Sequence, residues 1–381
     1  MLKSIKIADF KAGTWVKQAG FKSFSPTTIN RQWLLDQPEL ESLIVQAHQN
    51  LGALNAFSEL IPDVSLFIKM HIAKEATQSS KIEGTQTSME EAFLKSEDIR
   101  PDQRDDWQEV QNYIQAMTYA LDRLATLPLS NRLIRETHKI LLQGVRGEHK
   151  QPGEFRRSQN WIGGASLADA VFIPPAHHEI PDLMGDLEQF LHNEEIFISE
   201  LVRIAIAHYQ FETIHPFLDG NGRMGRLLIT LYLLSKKILM KPSLYLSAFF
   251  DKHRQLYFDN LTSVRNKNDL LQWLKFFMVG VIKTVESSVN SFRQIIVLRE
   301  QIERQIDQLG KRRPNAQLLL NHLFSQPVVT VQETATVINK SIPTANALIK
   351  DFVKMGILKE RTGYQRNRVF SFVEYIELFE K

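Results

Sequence analysis

Four residues able to do chemistry fall within twelve positions of one another: His215, Asp219, Arg223 and Arg226, in the run His215-Pro216-Phe217-Leu218-Asp219-Gly220-Asn221-Gly222-Arg223-Met224-Gly225-Arg226. His215 is the one group there that can take a proton near neutral pH. Asp219 is the one acid, and a hard divalent ion such as Mg²⁺ needs such an oxygen. Arg223 and Arg226, three apart, put fixed positive charge on one face of a first helical turn. Gly220 and Gly222 let backbone amides turn toward an anion without interference from a Cβ. A helix beginning here adds unpaired N–H groups and the positive end of its dipole. Together these residues make a polyphosphate cradle with a metal ligand and a base.

The flanking sequence must hold this cradle in place. Apolar residues recur at three and four in Leu201, Ile204, Ala205, His208 and Phe211, which predicts a helix entering the loop, and a second apolar run over 227–236 predicts a helix leaving it. His208 reads as a packed residue of the first of these. The same spacing recurs in Trp107, Val110, Ile114, Met117, Leu121 and Leu124, and in Ile180, Leu183, Met184, Leu187 and Phe190. Ser130 and Gly144 punctuate another helix. Residues 159–175 break the pattern: β-prone pieces around Gly163-Gly164 predict a hairpin. Gly220-x-Gly222-x-x-Gly225 matches the dinucleotide fingerprint, but it follows a helix instead of a strand, and no acid lies about 20 residues on, so a Rossmann reading is set aside.

The chain has 381 residues, 43% hydrophobic, enough for a large core and two or more domains. A net charge of +3 does not make it a polycation, and zero cysteines exclude disulfides, thiolate zinc sites and thiol nucleophiles. The N-terminus lacks the apolar core of a secretory signal, and the longest apolar runs are too short to span a bilayer, so a soluble cytoplasmic protein is expected. A long amphipathic helix is predicted from Ser287 to about Leu309. Beyond Gly310-Lys311-Arg312-Arg313-Pro314 the pattern is helix over 316–324, helix over 331–338, helix over 341–355, then strands at 356–358 and 369–373, the outline of a winged helix-turn-helix. Residues 311–381 hold 11 Lys+Arg and 6 Asp+Glu. Lys340, Lys350, Lys354, Arg366 and Arg368 would suit phosphate contacts with DNA, although packing or dimerisation is the plainer use of such a module.

The twelve-residue run resembles the signature of the Fic family, His-Pro-Phe-x-Asp-Gly-Asn-Gly-Arg-x-x-Arg, at every fixed position, and the resemblance extends over roughly residues 40–300. It implies a mainly α-helical bundle with a small β-hairpin flap, and an enzyme that moves AMP from ATP to a Tyr, Ser or Thr hydroxyl of a target protein. His215 would be the general base and Asp219 the Mg²⁺ ligand. Gly220, Asn221 and Gly222 would form the anion hole, Arg223 would contact the triphosphate and Arg226 the γ-phosphate, with Met224 and Gly225 completing the binding stretch. The hairpin at 159–175 resembles the flap that holds the target segment as an added strand, and Tyr257-Phe258 stands where the family places aromatic residues at the nucleoside.

A second motif lies upstream. Phe67, Met70, Ala73 and Ala76 predict a helix that Gly84 stops, so that Glu83 falls in its last turn. An exposed carboxylate there opposes the helix dipole by roughly 0.3–1 kcal/mol, unless a cation such as Arg226 offsets it. Ser79, Glu83 and Gly84 match the family's inhibitory motif, Ser/Thr-x-x-x-Glu-Gly/Asn, which implies that Glu83 pairs with Arg226 and blocks productive ATP binding. Ser88-x-x-Glu91 reads as a capping box. The expected domains are an N-terminal helical region with the inhibitory helix (1–100), a catalytic core (101–285), a long helix and linker (286–313) and the winged helix (314–381). ATP with Mg²⁺, a target protein on the flap and, as alternatives, DNA, a second copy of the chain or AMP removal at the same site complete the expectation.

Overall fold

The computed structural model describes residues 4–60, 64–363 and 368–380. Two small sheets come first: β1 (Ser4–Lys6) pairs in parallel with β4 (Gln32–Leu34), and β2 (Gly13–Lys17) pairs antiparallel with β3 (Lys22–Pro26). The region expected to be helical from its start therefore opens on strands. Strands of three to five residues carry too little alternation to stand out in a sequence.

Helices then dominate: α1 (Pro38–Leu60), α2 (Val64–Ile82), α3 (Arg104–Arg123), α4 (Asn131–Leu141), α5 (Ile180–His192), α6 (Glu200–Ile214), α7 (Asn221–Ser235), α8 (Ser247–Lys252), α9 (Arg254–Lys267) and α10 (Leu270–Ile306). Ser130 caps α4 by accepting the Leu133 N–H, as its position predicts. The Ser88–Glu91 capping box forms, but it opens only a short 3₁₀ turn. At the centre, every residue of α6 from Leu201 to Ile214 is buried, and α7 is buried over most of its length. The two cross closely because Gly225 has no side chain: a Cβ there would collide with Glu212 Oε1.

The long helix differs from expectation. α10 begins at Leu270, where Asp269 caps it by accepting the Gln272 N–H, and it runs unbroken through the boundary expected at 285–286. α10 packs against α1, α6, α8 and α9, and over 270–286 a broad buried face leaves only Gln272, Val279, Lys283 and Glu286 exposed, a narrow polar stripe that does not stand out in the sequence. It ends near Gly310, whose φ of 55° bends the chain.

The C-terminal region comprises α11 (Arg313–Ser325), β5 (Val328–Thr330), α12 (Val331–Val337), α13 (Ile342–Lys354), β6 (Lys359–Glu360), β7 (Val369–Ser371) and α14 (Val373–Glu380). This is the order expected of a winged helix, with an extra strand after its first helix, the strand expected at 356–358 formed instead at Lys359–Glu360, and a sheet ordered β5-β7-β6. α11 and α14 pack on α2, and α14 also packs on α10. Lys340, Lys350 and Lys354 are exposed, but Arg368 donates to Glu360 and Asn346, and Arg366 lies outside the described residues. No helix among the described residues is long and apolar enough to cross a membrane.

Candidate active site

α6 ends by turning the chain at His215, whose φ of 50° and ψ of 60° are left-handed and strained for a residue with a Cβ. Arg156 holds the strain in place. Its buried guanidinium donates to the carbonyls of His215 (3.0 Å), Ser158 (3.0 Å) and Pro175 (2.6 Å). One side chain thus ties the turn at His215 to both ends of the 159–175 segment, where the expected hairpin is reduced to a single antiparallel bridge, Ile162–Phe172, with no strand on either side. Burial, with the positive charges of Arg156 and Arg265 nearby, pushes the His215 pKa down to about 3. The ring is therefore neutral at pH 7, and its Nδ1 has no hydrogen-bond partner.

The rest of the loop is closed by side chains that bond to backbone. Asn221 Oδ1 accepts the Phe217 N–H (2.8 Å) while its Nδ2 donates to Phe217 O (2.9 Å), and Asn160 Nδ2 donates to the same carbonyl. The side chain of Asn221 is thereby committed to loop closure, leaving its backbone amide for an anion. His138 stacks on Phe217 with centroids 3.7 Å apart. Its Nδ1 accepts the Gly153 N–H, so the protonated Nε2 donates to Asp219 O.

α7 starts at Gly220, whose φ is 73°. The Met224 N–H closes the first turn on Gly220 O, so the amides of Asn221, Gly222 and Arg223 precede it without helical partners. Asp219 stands beside this row, 41% exposed, with one oxygen accepting the Gly220 N–H and lying 3.7 Å from Arg223. Arg223 is buried against Glu109 of α3 (3.1 Å), a carboxylate that also holds Arg146.

The other end of the cradle is filled. Arg226 Nε donates to Ser79 Oγ (2.8 Å), and its Nη2 donates to Ser79 O (2.9 Å) and to Glu83 Oε1 (2.7 Å). The Glu83 carboxylate lies so close over Gly222 that a Cβ on that glycine would collide with it. Burial opposes ionisation of Glu83, but the charge and hydrogen bond of Arg226 outweigh it and hold the carboxyl below its ordinary range. Gly84, with a φ of 107°, ends the helix, and Arg254 caps it by donating to Ile82 O.

His215, Asp219, Gly220, Gly222, Arg223 and Arg226 thus come together with Ser79 and Glu83. Several of the expected binding residues do not face the cradle. Met224 is a core side chain whose N–H is spent in the helix, and Gly225 faces α6. Tyr257 is buried, with its hydroxyl bonded to His208, whose other nitrogen bonds Gly225 O. Its ring stacks on Phe250 of α8 (4.5 Å), whereas Phe258 is exposed beneath Arg254. Sequence reasoning missed Glu109, His138, Arg156 and Asn160. Only a buried charge on an apolar helix face hinted at Glu109; the others sit in irregular chain or alone.

The residues brought together here fall within stretches that match known families. Residues 41–122 match the "Fic/DOC family N-terminal" model and residues 128–233 the "Fic/DOC family" model. "Protein adenylyltransferase Fic" of Aedes aegypti is 32% identical over 154 residues, covering 40% of this chain and 28% of the relative. The Culex quinquefasciatus protein of the same name is 34% identical over 152 residues, 40% of this chain and 27% of the relative. The chain therefore spans little more than a quarter of the length of these relatives. In fold, it is similar to a Fic family protein from Desulfovibrio desulfuricans G20 (TM-score 0.57, 20% identity, 88% of this chain and 96% of that one). It is also similar to a Fic-1 fragment from C. elegans (TM-score 0.51, 21% identity, 68% and 75%).

Proposed function

We propose, on the premise that this chain belongs to the Fic/DOC family through residues 41–122 and 128–233, that it transfers AMP from ATP to a hydroxyl of a target protein and that Glu83 restrains it. The observation that carries the reading is the neutral His215, with an unpartnered Nδ1, beside the amides of Asn221, Gly222 and Arg223. In the reaction, the target hydroxyl oxygen attacks the α-phosphorus in line. The bond to the bridging oxygen breaks, pyrophosphate leaves, and the hydroxyl proton passes to the imidazole. The aimed amides and the two arginines stabilise charge on the transferring group. Anionic phosphates near His215 would raise its pKa toward neutrality and so make it a better base.

Among the described residues no cluster of three His, Cys, Asp or Glu could hold a metal ion. Mg²⁺ commonly takes one or two carboxylates and completes its shell with substrate phosphates and water. The half-exposed Asp219, next to the amide row, fits that need. When bound, the ion would supply charge neutralisation between the ATP phosphates. The 159–175 hairpin is the proposed target platform, since Arg156 ties its two ends to the catalytic turn. The N-terminal part with α2, the catalytic core and the winged helix are read as separate functional units joined by α10. The Glu83 contact supports autoinhibition, because its carboxylate takes the positions of Arg226 and Gly222 that a terminal phosphate would need.

Wild type, His215→Ala and Glu83→Gly are incubated with Mg²⁺ and α-labelled ATP, and label on protein is read. Label is expected in wild type, stronger in Glu83→Gly and absent in His215→Ala. Label that survives His215→Ala would remove the proposed base, and equal label in wild type and Glu83→Gly would remove the brake.

A further inference from the structure

The last carbonyls of a helix have no intrahelical N–H to accept. At the end of α6 the shortage is built into the sequence. The N–H that would meet the Glu212 carbonyl belongs to residue 216, a proline, which has none. Arg265, in the last turn of α9, supplies the donor. Its Nη2 donates to Glu212 O (3.3 Å) and its Nε to Thr213 Oγ1 (3.2 Å). A cation is well placed there, at the negative end of the helix dipole and just before His215.

Arg265 lacks the acid that a cation ordinarily finds. Among the described residues it forms no ion pair; from Glu212 it takes the carbonyl and not the carboxylate. The guanidinium lies instead over the ring of Phe172, 4.0 Å from its centroid. Burial lowers the Arg265 pKa, and contact between cation and ring counts most where water is stripped away.

Phe172 is one half of the single bridge in the 159–175 segment. The N–H groups of Val171 and Phe172 donate to Ile162 O, and the Ile162 N–H donates to Phe172 O. Its ring is 5% exposed and also meets Phe24 and Trp15, with centroids 5.9 and 6.0 Å apart. Arg156 grips the segment at Ser158 and Pro175, near its ends. Arg265 grips it at the bridge.

We propose that Arg265 is a positioning residue for AMP transfer: its guanidinium docks the Ile162–Phe172 bridge on the end of α6 and so sets the target platform against His215. The docking is given by these contacts; its role in transfer rests on the proposed use of residues 159–175 as that platform. A neutral hydrogen-bonding side chain could serve the helix end, but only a cation adds the hold on the ring.

Amide hydrogen exchange is followed by mass spectrometry on the full chain as wild type, Arg265→Gln, Arg265→Lys, Phe172→Leu and Arg265→Gln/Phe172→Leu. Exchange over 160–173 is expected about tenfold faster in Arg265→Gln, within about threefold of wild type in Arg265→Lys, and no faster in the double variant than in Phe172→Leu, with α6 unchanged. Unchanged exchange over 160–173 in Arg265→Gln, or equal acceleration in α6, overturns the docking. The same variants in the Glu83→Gly background are then given α-labelled ATP and cell lysate. Arg265→Gln should label target about tenfold more slowly at an unchanged KM for ATP. Undiminished labelling overturns the positioning role. No label even in the Glu83→Gly parent removes AMP transfer and the positioning role with it, while the exchange data still decide the docking. Should Arg265→Gln not fold, Phe172→Leu decides, since it leaves the hydrogen bonds at the helix end in place: its labelling must fall at an unchanged KM for ATP, or the proposal is overturned.

Discussion

Arg223 and Arg226 sit three residues apart on one helix, each opposite a glutamate, yet the two pairs are built differently. Arg223 and Glu109 are 4% and 5% exposed, and Glu109 comes from the middle of α3 with a second cation, Arg146, on its other oxygen. Arg226 is 2% exposed, but its partner Glu83 is 39% exposed and hangs on the last turn of α2, just before the left-handed Gly84. In the first pair, loss of Glu109 would leave the buried Arg223 with only Asp219 at 3.7 Å, and loss of Arg223 would leave Glu109 to Arg146. In the second, the carboxylate can swing to water while Ser79 keeps two hydrogen bonds on the arginine. Burial of the partner, more than the distance between charges, separates an anchor from a latch.

The largest effect should come from breaking the anchor. Glu109→Ala takes from the buried Arg223 its nearer carboxylate, leaving Asp219 at 3.7 Å, and should cost about 3 kcal/mol of stability, read as a lower urea midpoint; a loss below about 1 kcal/mol would mean that the anchor is no firmer than the latch. Next, Arg156→Met removes the donors that join the hairpin to His215. We expect about 2–3 kcal/mol of destabilisation and weaker labelling of target, with α-labelled ATP and calorimetric melting as the readouts. Glu83→Gly should change stability by no more than about 1 kcal/mol while raising AMP transfer about tenfold or more. A stability loss equal to that of Glu109→Ala would erase the distinction between the pairs.

The smallest effect concerns Glu75, one turn before Ser79 and buried, accepting from Tyr113 and Ser247. Burial, against the hydrogen bond of Ser247 and the charge of Arg226, pushes its pKa up to about 7. A carboxyl with a raised native pKa favours folding below its unfolded value of 4.5 and penalises it as pH rises through 7. Relative to wild type, Glu75→Gln should therefore gain stability between pH 5 and pH 8, by on the order of 1 kcal/mol. Parallel stability profiles for the two proteins would show that Glu75 carries no such penalty.

Much of the site is legible in the order of the residues alone. His215, Asp219 and the glycines are contiguous, and the helices on either side carry a clear period, so the proposed base, the proposed metal ligand and the amide row follow from local rules. The Ser79–Glu83 contact is legible only through the resemblance, since Ser-x-x-x-Glu-Gly by itself is a common string. The N-terminal strands escape notice because they are short, and the first half of α10 because its buried face is broad and its exposed side narrow. Met224 is expected at the nucleotide only as a neighbour of binding residues, and Tyr257 only through the resemblance; both side chains are buried.

The sequence by itself determined the chemistry of the twelve-residue loop, the helix that begins at its end and the helical class of the chain, because these depend on residue types within a few positions of one another. Only the tertiary structure decided which acid meets which arginine. Glu83 and Arg226 are 143 residues apart, and Glu109 and Arg223 are 114 apart. Backbone periodicity brings together residues three and four apart; longer pairings depend on how α2 and α3 pack against α7, and so do the burial and partners that make one glutamate an anchor and the other a proposed brake.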